Sequence, residues 1–309
     1  MEHPPKVVLT GATGFIGAAV LTELLARGAK PLVLLRAGSD HQRIAALQGF
    51  REVPFQRFDE AGLAARLQEE QPSVFIHCAW GGVFGTERNV DFQITENLPL
   101  TLAAAQLAVA CGCRQWIGLG SQAEYGNQNR VLDESAPARP TTTYGKAKLA
   151  AGIATLALCE ARGLAGTWLR VFSTYGPGEH PQRLVPHLIS EFAAGHAPKL
   201  TGCEQLWDYL YVTDAARAIV AVAERQATGV FNLGSGQVCP LRQVVETIRA
   251  GMSTALQPEY GAVPYRPDQV MHLQADITRL KSATGWQPQV SLEEGLRACL
   301  ASPRPKPNA

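Results

Sequence analysis

Val7-Val8-Leu9-Thr10-Gly11-Ala12-Thr13-Gly14-Phe15-Ile16-Gly17 is the stretch whose reading decides the fold. Three apolar residues form a short strand of the buried type, and after the glycines an apolar helix runs to about Arg27. A glycine-punctuated turn between a strand and a helix lets the chain reverse tightly and leaves its backbone open to close approach. The helix start then offers free N–H groups and a partial positive charge, which suits a pyrophosphate. Gly11, Thr13, Gly14, Phe15, Ile16 and Gly17 are therefore candidate contacts to a dinucleotide cofactor. The glycines are spaced three-and-three, not two-and-three as in the common dehydrogenase turn.

Working outward, further apolar runs at Pro31–Leu35 (closing on Arg36), Val53–Phe58, Ser73–Ala79, Gln115–Gly120 (closing on Ser121) and Gly166–Phe172 read as strands. Helical stretches alternate with several of them, including an alanine-rich one over Leu98–Cys111 and one from Tyr144 to about Ala161. That alternation predicts an α/β fold with a doubly wound parallel sheet covered on both faces. After Ser173 the texture changes: Pro177, Pro181, Pro186 and Pro198 break the chain into short pieces. Tyr209–Val212 and Gly229–Leu233 still read as strands. The expected division is a dinucleotide-binding domain over 1–173 with 205–234 returning to it. A smaller discontinuous lobe over 174–204 and 235–301 follows, with a frayed tail at 302–309.

Composition narrows the function. The chain has 309 residues, 46% hydrophobic and 18% charged, with formal net charge +1 and no long basic run. That gives no support to nucleic acid or an anionic membrane as partner. Seven cysteines include Cys111-Gly112-Cys113 but no paired metal-ligand spacing, and His180, His187 and His196 do not fall at helical metal-binding intervals. No metal site is expected. The start, with Pro4 and Pro5 before the first apolar run, lacks the look of a signal segment, and no run reaches the ~20 apolar residues of a membrane span. A cytoplasmic protein with reduced thiols is expected.

Two features point to chemistry. Tyr144 and Lys148 stand four residues apart, on one face of a helix. A phenol titrates near pH ~10 in water, and a fixed ammonium beside it would lower that toward the working range. At the end of the second strand stand Leu35 and Arg36, with no carboxylate before Asp40. An arginine there suits the 2′-phosphate of NADP(H), although NAD(H) stays possible.

Taken with Ser121, these segments resemble the extended short-chain dehydrogenase/reductase family, in its sugar-nucleotide epimerase, dehydratase and reductase branch. His77-Cys78-Ala79, Asn97, Asp59, Ser121–Gly126, Arg170–Gly178, Asp208–Asp214, Asn232–Gly236 and Arg266-Pro267-Asp268 resemble its later landmarks. The resemblance implies that Tyr144 passes a proton to or from a sugar hydroxyl, that Lys148 holds the nicotinamide ribose and that Ser121 orients the reacting oxygen. It also places Ala79 and Asp59 at the cofactor, with Asp59 at the adenine. Gln122, Ser173 and Arg266 fall at the substrate, Arg266 as a phosphate contact.

Departures from that pattern refine the reaction. The dehydratases of the branch follow the catalytic hydroxyl with an Asp-Glu pair, whereas Gln122 and Ala123 follow Ser121 here. Glu124 comes one residue late and, by strand alternation, should point elsewhere. Trp207 stands where many relatives carry a diphosphate-gripping arginine, and Ser173 where many carry asparagine. The reading is an NADP(H)-preferring reductase of a nucleotide-linked 4-keto, 6-deoxy hexose, with an NAD-dependent 4-epimerase as alternative and a catalytically silent dinucleotide sensor as a third. Family members often dimerise through helices, and 98–111 and 145–161 carry small apolar faces for a homodimer. Burial of those faces within one chain stays open.

Overall fold

The computed structural model describes residues 5–266 and 269–302. Pro267 and Asp268 of the Arg266–Asp268 landmark, Pro4, and 303–309 of the tail lie outside the described residues. Strand β1 (Val7–Thr10), wholly buried, leads through the glycine turn into helix α1 (Phe15–Ala26). Then follow β2 (Leu32–Arg36), β3 (Arg51–Phe55), α2 (Leu63–Gln68) and β4 (Val74–His77). A 3-10 turn (Gly85–Asn89) and a π-helical turn (Gln93–Asn97) lead to α3 (Leu98–Ala110), β5 (Gln115–Ser121), a second 3-10 turn (Gln122–Glu124) and β6 (Arg130–Leu132). Helix α4 (Thr143–Arg162), β7 (Ala165–Val171), β8 (Ser173–Tyr175), α5 (Leu184–Ala193), β9 (Lys199–Leu200), β10 (Leu206–Trp207) and β11 (Tyr209–Tyr211) come next. The rest is α6 (Val212–Arg225), β12 (Gly229–Leu233), β13 (Cys239–Pro240), α7 (Leu241–Gly251), β14 (Glu259–Tyr260), β15 (His272–Ala275), α8 (Thr278–Thr284) and α9 (Leu292–Ala301).

Seven strands form one parallel sheet in the order β12-β7-β5-β4-β1-β2-β3. The order reverses between β1 and β4, so a crevice opens at their carboxyl ends, where such sheets bind ligands. One face is covered by α1 and α6 through Leu21, Leu24, Ile219 and Val222, the other by α2 and α3 through Leu67, Ala104 and Ala108. Both faces being buried explains the near-continuous apolar strands.

The third strand sits earlier than the expected 53–58. Its pairing with β2 runs from Leu32↔Arg51 to Arg36↔Phe55 and stops where β2 stops. Beyond it Gln56 and Arg57 donate their N–H groups to Glu60 Oε2 at 2.8 and 3.3 Å, which turns the chain away. Pro54 is tolerated because β3 is an edge strand.

A second, four-stranded sheet has the order β13-β10-β15-β6. Residues 130–132, expected within the dinucleotide-binding domain, thus pair with β15 instead. Leu132 is drawn there by a cluster with Tyr125, Phe172, Leu273 and Ala275. The same segment is tied back by Asn232, whose Nδ2 donates to Leu132 O at 2.8 Å while its Oδ1 accepts from Tyr125 OH at 2.6 Å. Strand β12, by contrast, lies at the edge of the main sheet beside β7. Around α5, α7 and α9 a separate core gathers Val185, Leu188, Val244, Ile248 and Leu296. Asp208, fully buried, accepts from the N–H groups of Ser235 (2.6 Å), Gly236 (2.9 Å) and Ala275 (3.1 Å), so this landmark is a structural knot between lobes.

Among the described residues no helix is long and apolar enough to cross a membrane. All the cysteines are free thiols.

Candidate active site

Helix α4 carries Tyr144 and Lys148, the two residues that the sequence singled out for chemistry. Thr142 caps it by accepting from Gly145 N at 3.0 Å. Gly145 lets the helix lie against the Gln122–Glu124 turn, since a Cβ there would meet Ala123 O at 2.5 Å. Tyr144 and Lys148 are both buried, as is Ser121 at the end of β5. The structure therefore brings the expected trio to one place. Ser121 opens the 3-10 turn, its Oγ accepting from Ala123 N at 3.2 Å.

Glu124 closes that turn and is wholly buried. It accepts from Ser121 N at 2.8 Å, Trp168 Nε1 at 2.9 Å and Arg170 Nε at 2.9 Å. Strand alternation does not set its direction: the strand has ended, and the carboxylate is held by Arg170 and Trp168. The Trp168 indole has room because Gly118, Gly120 and Gly152 surround it, where added Cβ atoms would approach its ring atoms to 2.5, 2.3 and 2.7 Å.

One expectation needs correcting. Burial raises the Tyr144 phenol above its ordinary value, the Ser121 hydroxyl and the Arg88 guanidinium opposing it in part. Lys148 is not the cation that counters this. Its Nζ donates to Leu119 O at 2.6 Å and lies 3.8 Å above the centre of the Trp80 ring. Desolvation lowers it to about 7, with Glu124 and Cys78 pulling the other way. Desolvation thus works against the ammonium form, and the cations that oppose the rise of the phenol are Arg88 and Arg183.

Trp80 and Arg88 were not picked out from the sequence. Both stand in the irregular segment between β4 and α3, where no periodicity directs attention. Trp80 meets Tyr144 edge-on, with ring centres 6.2 Å apart, and donates its Nε1 to Gln93 Oε1 at 2.8 Å. Asn97 pins the same segment, accepting from Gly81 N at 3.1 Å and donating to Gly81 O at 3.0 Å. The Arg88 guanidinium carbon lies 5.1 Å from the centre of the Tyr144 ring.

The crevice at the strand ends fits a dinucleotide. Gly11 is left-handed (φ 73°), and a Cβ there would meet Ala79 N at 2.5 Å, so the ends of β1 and β4 meet only without a side chain. On Gly17 a Cβ would fall 2.0 Å from Gly11 O. No side chain caps the start of α1, leaving its first amides free for an anion. His77 ties the two strands, its Nδ1 2.7 Å from Thr10 Oγ1; burial, and then the field of Lys148, lower it to about 3, so it stays neutral. Thr10, Gly11, Thr13, Leu35, Arg36, Phe58 and Ala79 line a recess there. Beyond it a groove of about 520 Å³ runs along Arg36, His41, Glu52 and Phe55. Asp59 turns instead to Arg57, with contacts of 2.8 Å to both carboxylate oxygens. Arg43 bridges the crevice, donating to Thr13 O at 3.1 Å and to Gly178 O at 3.2 and 3.0 Å.

Of the residues expected at a substrate, Gln122 and Ser173 are half-buried and Arg266 is exposed. The Trp207 indole donates to Val270 O at 3.0 Å and offers no charge. The turns carrying Phe84 and His180 meet, with ring centres 3.8 Å apart. Glu179, largely buried 4.0 Å from Arg183 Nε, is pushed up to about 8 by desolvation despite that arginine.

Comparison with known proteins places the chain in a family and matches its fold. Residues 7–234 match the family described as the NAD dependent epimerase/dehydratase family. The dTDP-6-deoxy-L-talose 4-dehydrogenase (NAD(P)(+)) of Kitasatospora kifunensis is 30% identical over 95% of this chain and 94% of its own length. The solved structure of MoeE5 in complex with UDP-glucose and NAD superposes with TM-score 0.80 at 28% identity, covering 96% of this chain and 97% of that one. The UDP-N-acetylglucosamine 4-epimerase of Methanobrevibacter ruminantium M1, in complex with UDP-N-acetylmuramic acid, has TM-score 0.85 over 97% of this chain and 98% of its own; at 23% identity it speaks for the fold alone.

Proposed function

The chain belongs to the NAD dependent epimerase/dehydratase family, and from that premise we propose that it reduces the 4-keto group of a nucleotide-linked 6-deoxy hexose, with a preference for NADP(H). The observation that carries this reading is Arg36: its guanidinium is exposed beside the ribose end of the crevice, with no hydrogen bond or ion pair among the described residues. A 2′-phosphate would answer it. Dehydration is disfavoured because the carboxylate beside Ser121, that of Glu124, is committed to Arg170 and Trp168. The relative from Kitasatospora is named for the same C4 oxidation and reduction on a dTDP-6-deoxy sugar.

In this reading a bound nicotinamide supplies the hydride. Tyr144 holds the proton at its hydroxyl, and burial keeps it there at neutral pH, which suits a donor to a developing alkoxide. Ser121, fixed by its own turn, orients the carbonyl oxygen next to that hydroxyl. Lys148 would hold the cofactor's ribose from the same helix, Gly11–Gly17 and Ala79 would frame its pyrophosphate, and Arg183 and Arg266 would meet the nucleotide's phosphates.

The test mixes purified protein, NADPH and a dTDP- or CDP-4-keto-6-deoxyhexose. Loss of nicotinamide absorbance supports the reductase, and none sinks it. One observation favours a second reading, a 4-epimerase with retained NAD: Glu52 lines the same groove as Arg36, and a carboxylate there suits an unphosphorylated ribose. Stoichiometric NAD in the purified protein would decide for it.

We also propose a homodimer. Ala104, Ala105 and Ala108 of α3 and Ala147, Ala151 and Gly152 of α4 are already buried within the chain. What remains outside is Ile153 (64% exposed) with Ile94 (48%). Ile153→Glu should convert the dimer to a monomer by light scattering; a wild-type monomer ends the idea.

A further inference from the structure

We propose that Arg88 binds the sugar-side phosphate of the nucleoside diphosphate carried by the substrate, an assignment that rests on the function proposed above.

The 3-10 turn Gly85–Asn89 is docked on the start of α4, where Asn89 Oδ1 accepts from Thr143 N at 3.2 Å. That anchor aims Arg88 over the face of Tyr144, 5.1 Å from the ring centre. Its Nε is buried and has no hydrogen-bond partner among the described residues. No carboxylate pairs with it there either. The acidic neighbour Glu87 acts instead on His180.

The surroundings sharpen the point. Desolvation holds Arg88 below its ordinary value, Tyr144 opposes this, and Arg183 and Arg266 add to it. Arg88 thus feels the positive charge of two further guanidinium groups. The carboxyl beside Arg183, that of Glu179, is pushed up to about 8 by desolvation. A half-buried guanidinium whose buried Nε–H makes no hydrogen bond, and which has no ion pair among the described residues, is destabilising unless a ligand completes it.

Charge and place together select the ligand group. A sugar hydroxyl satisfies the N–H but leaves the charge, and a single carboxylate answers one cation of three. A diphosphate brings more than one negative charge, and its non-bridging oxygens match the fork of a guanidinium. Arg88 lies against the phenol, at the reacting end of the ligand, so the phosphate bonded to the sugar falls to it. Arg183 and Arg266 are left for the nucleoside side.

The experiment titrates UDP, dTDP and CDP, and the matching monophosphates, into wild type, Arg88→Met and Arg88→Lys by calorimetry. NADPH affinity serves as the check that each variant is folded. In wild type the preferred diphosphate should bind more tightly than its monophosphate. Loss of one charge-assisted contact should weaken the diphosphate by about 10- to 100-fold in Arg88→Met, with little effect on the monophosphate and partial recovery in Arg88→Lys. Wild-type diphosphate affinity in Arg88→Met overturns the assignment. A wild type that binds no nucleoside diphosphate overturns the proposed function, and the assignment with it.

Discussion

Glu124→Ala should be among the most damaging single changes near the site, although Glu124 touches no ligand. The substitution removes one acceptor from three donors at once: Ser121 N, Trp168 Nε1 and Arg170 Nε. The Arg170 side chain is only 10% exposed and its partner 0%, so solvent does little to screen the loss. Removing one member of a buried ion pair typically costs about 3–5 kcal/mol, and the two orphaned N–H groups act through the same vacancy, so their costs do not simply add. About 4 kcal/mol is a large part of the ~5–15 kcal/mol that holds a typical fold. At a urea slope of about 3 kcal/mol/M the midpoint should fall by roughly 1.3 M with the slope unchanged. Arg170→Met in the same chain removes the stranded cation, so the double variant should recover part of the loss as a favourable coupling. Urea unfolding followed by circular dichroism gives both numbers. A loss under about 1 kcal/mol for Glu124→Ala, or strict additivity in the double variant, would refute the reasoning.

The remaining expectations concern the site itself. Tyr144→Phe should lower kcat by about 10²- to 10⁴-fold with NADPH affinity unchanged, as transient kinetics and calorimetry can show. Gly17→Ala places a Cβ 2.0 Å from Gly11 O, so the turn must shift; dinucleotide affinity should fall at least tenfold, and wild-type affinity would contradict the close approach. Arg36→Asp should reverse a preference for NADPH over NADH, read as the ratio of kcat/KM values. For Lys148 the sign follows from its descent from 10.5 to about 7 on folding. Between those values the unfolded chain binds the extra proton, so this residue's contribution to stability rises with pH through that window and is least below about 7. The stability of Lys148→Met relative to wild type should therefore be greater at pH 6 than at pH 9, and an unchanged difference would count against the desolvation.

Much of this architecture was readable because it is local. The turn after Leu9 needs only nearby glycines, and Gly229–Leu233 declares itself as a strand by its own apolar run, observed with those same ends. What escaped depends on distant partners. Arg130–Leu132 joins the second sheet because of residues more than a hundred positions later. What holds Glu124, the pair Arg170 and Trp168, lies beyond any pattern in the strand that precedes it. Trp80 and Arg88 sit in irregular chain, where side-chain direction follows from the Asn97 and Asn89 anchors rather than from a period. The tyrosine–lysine pair was found by spacing, but spacing says nothing of solvent, and burial set the state of both groups.

Arg43 has a consequence in time rather than in affinity. One guanidinium holds the glycine turn at Thr13 and the substrate-side turn at Gly178, so neither rim of the crevice swings out without breaking contacts to the other. Movement of one rim is thereby linked to movement of the other. A catalyst that trades its dinucleotide every turnover would part these bonds each cycle, whereas one that keeps its dinucleotide would leave them closed.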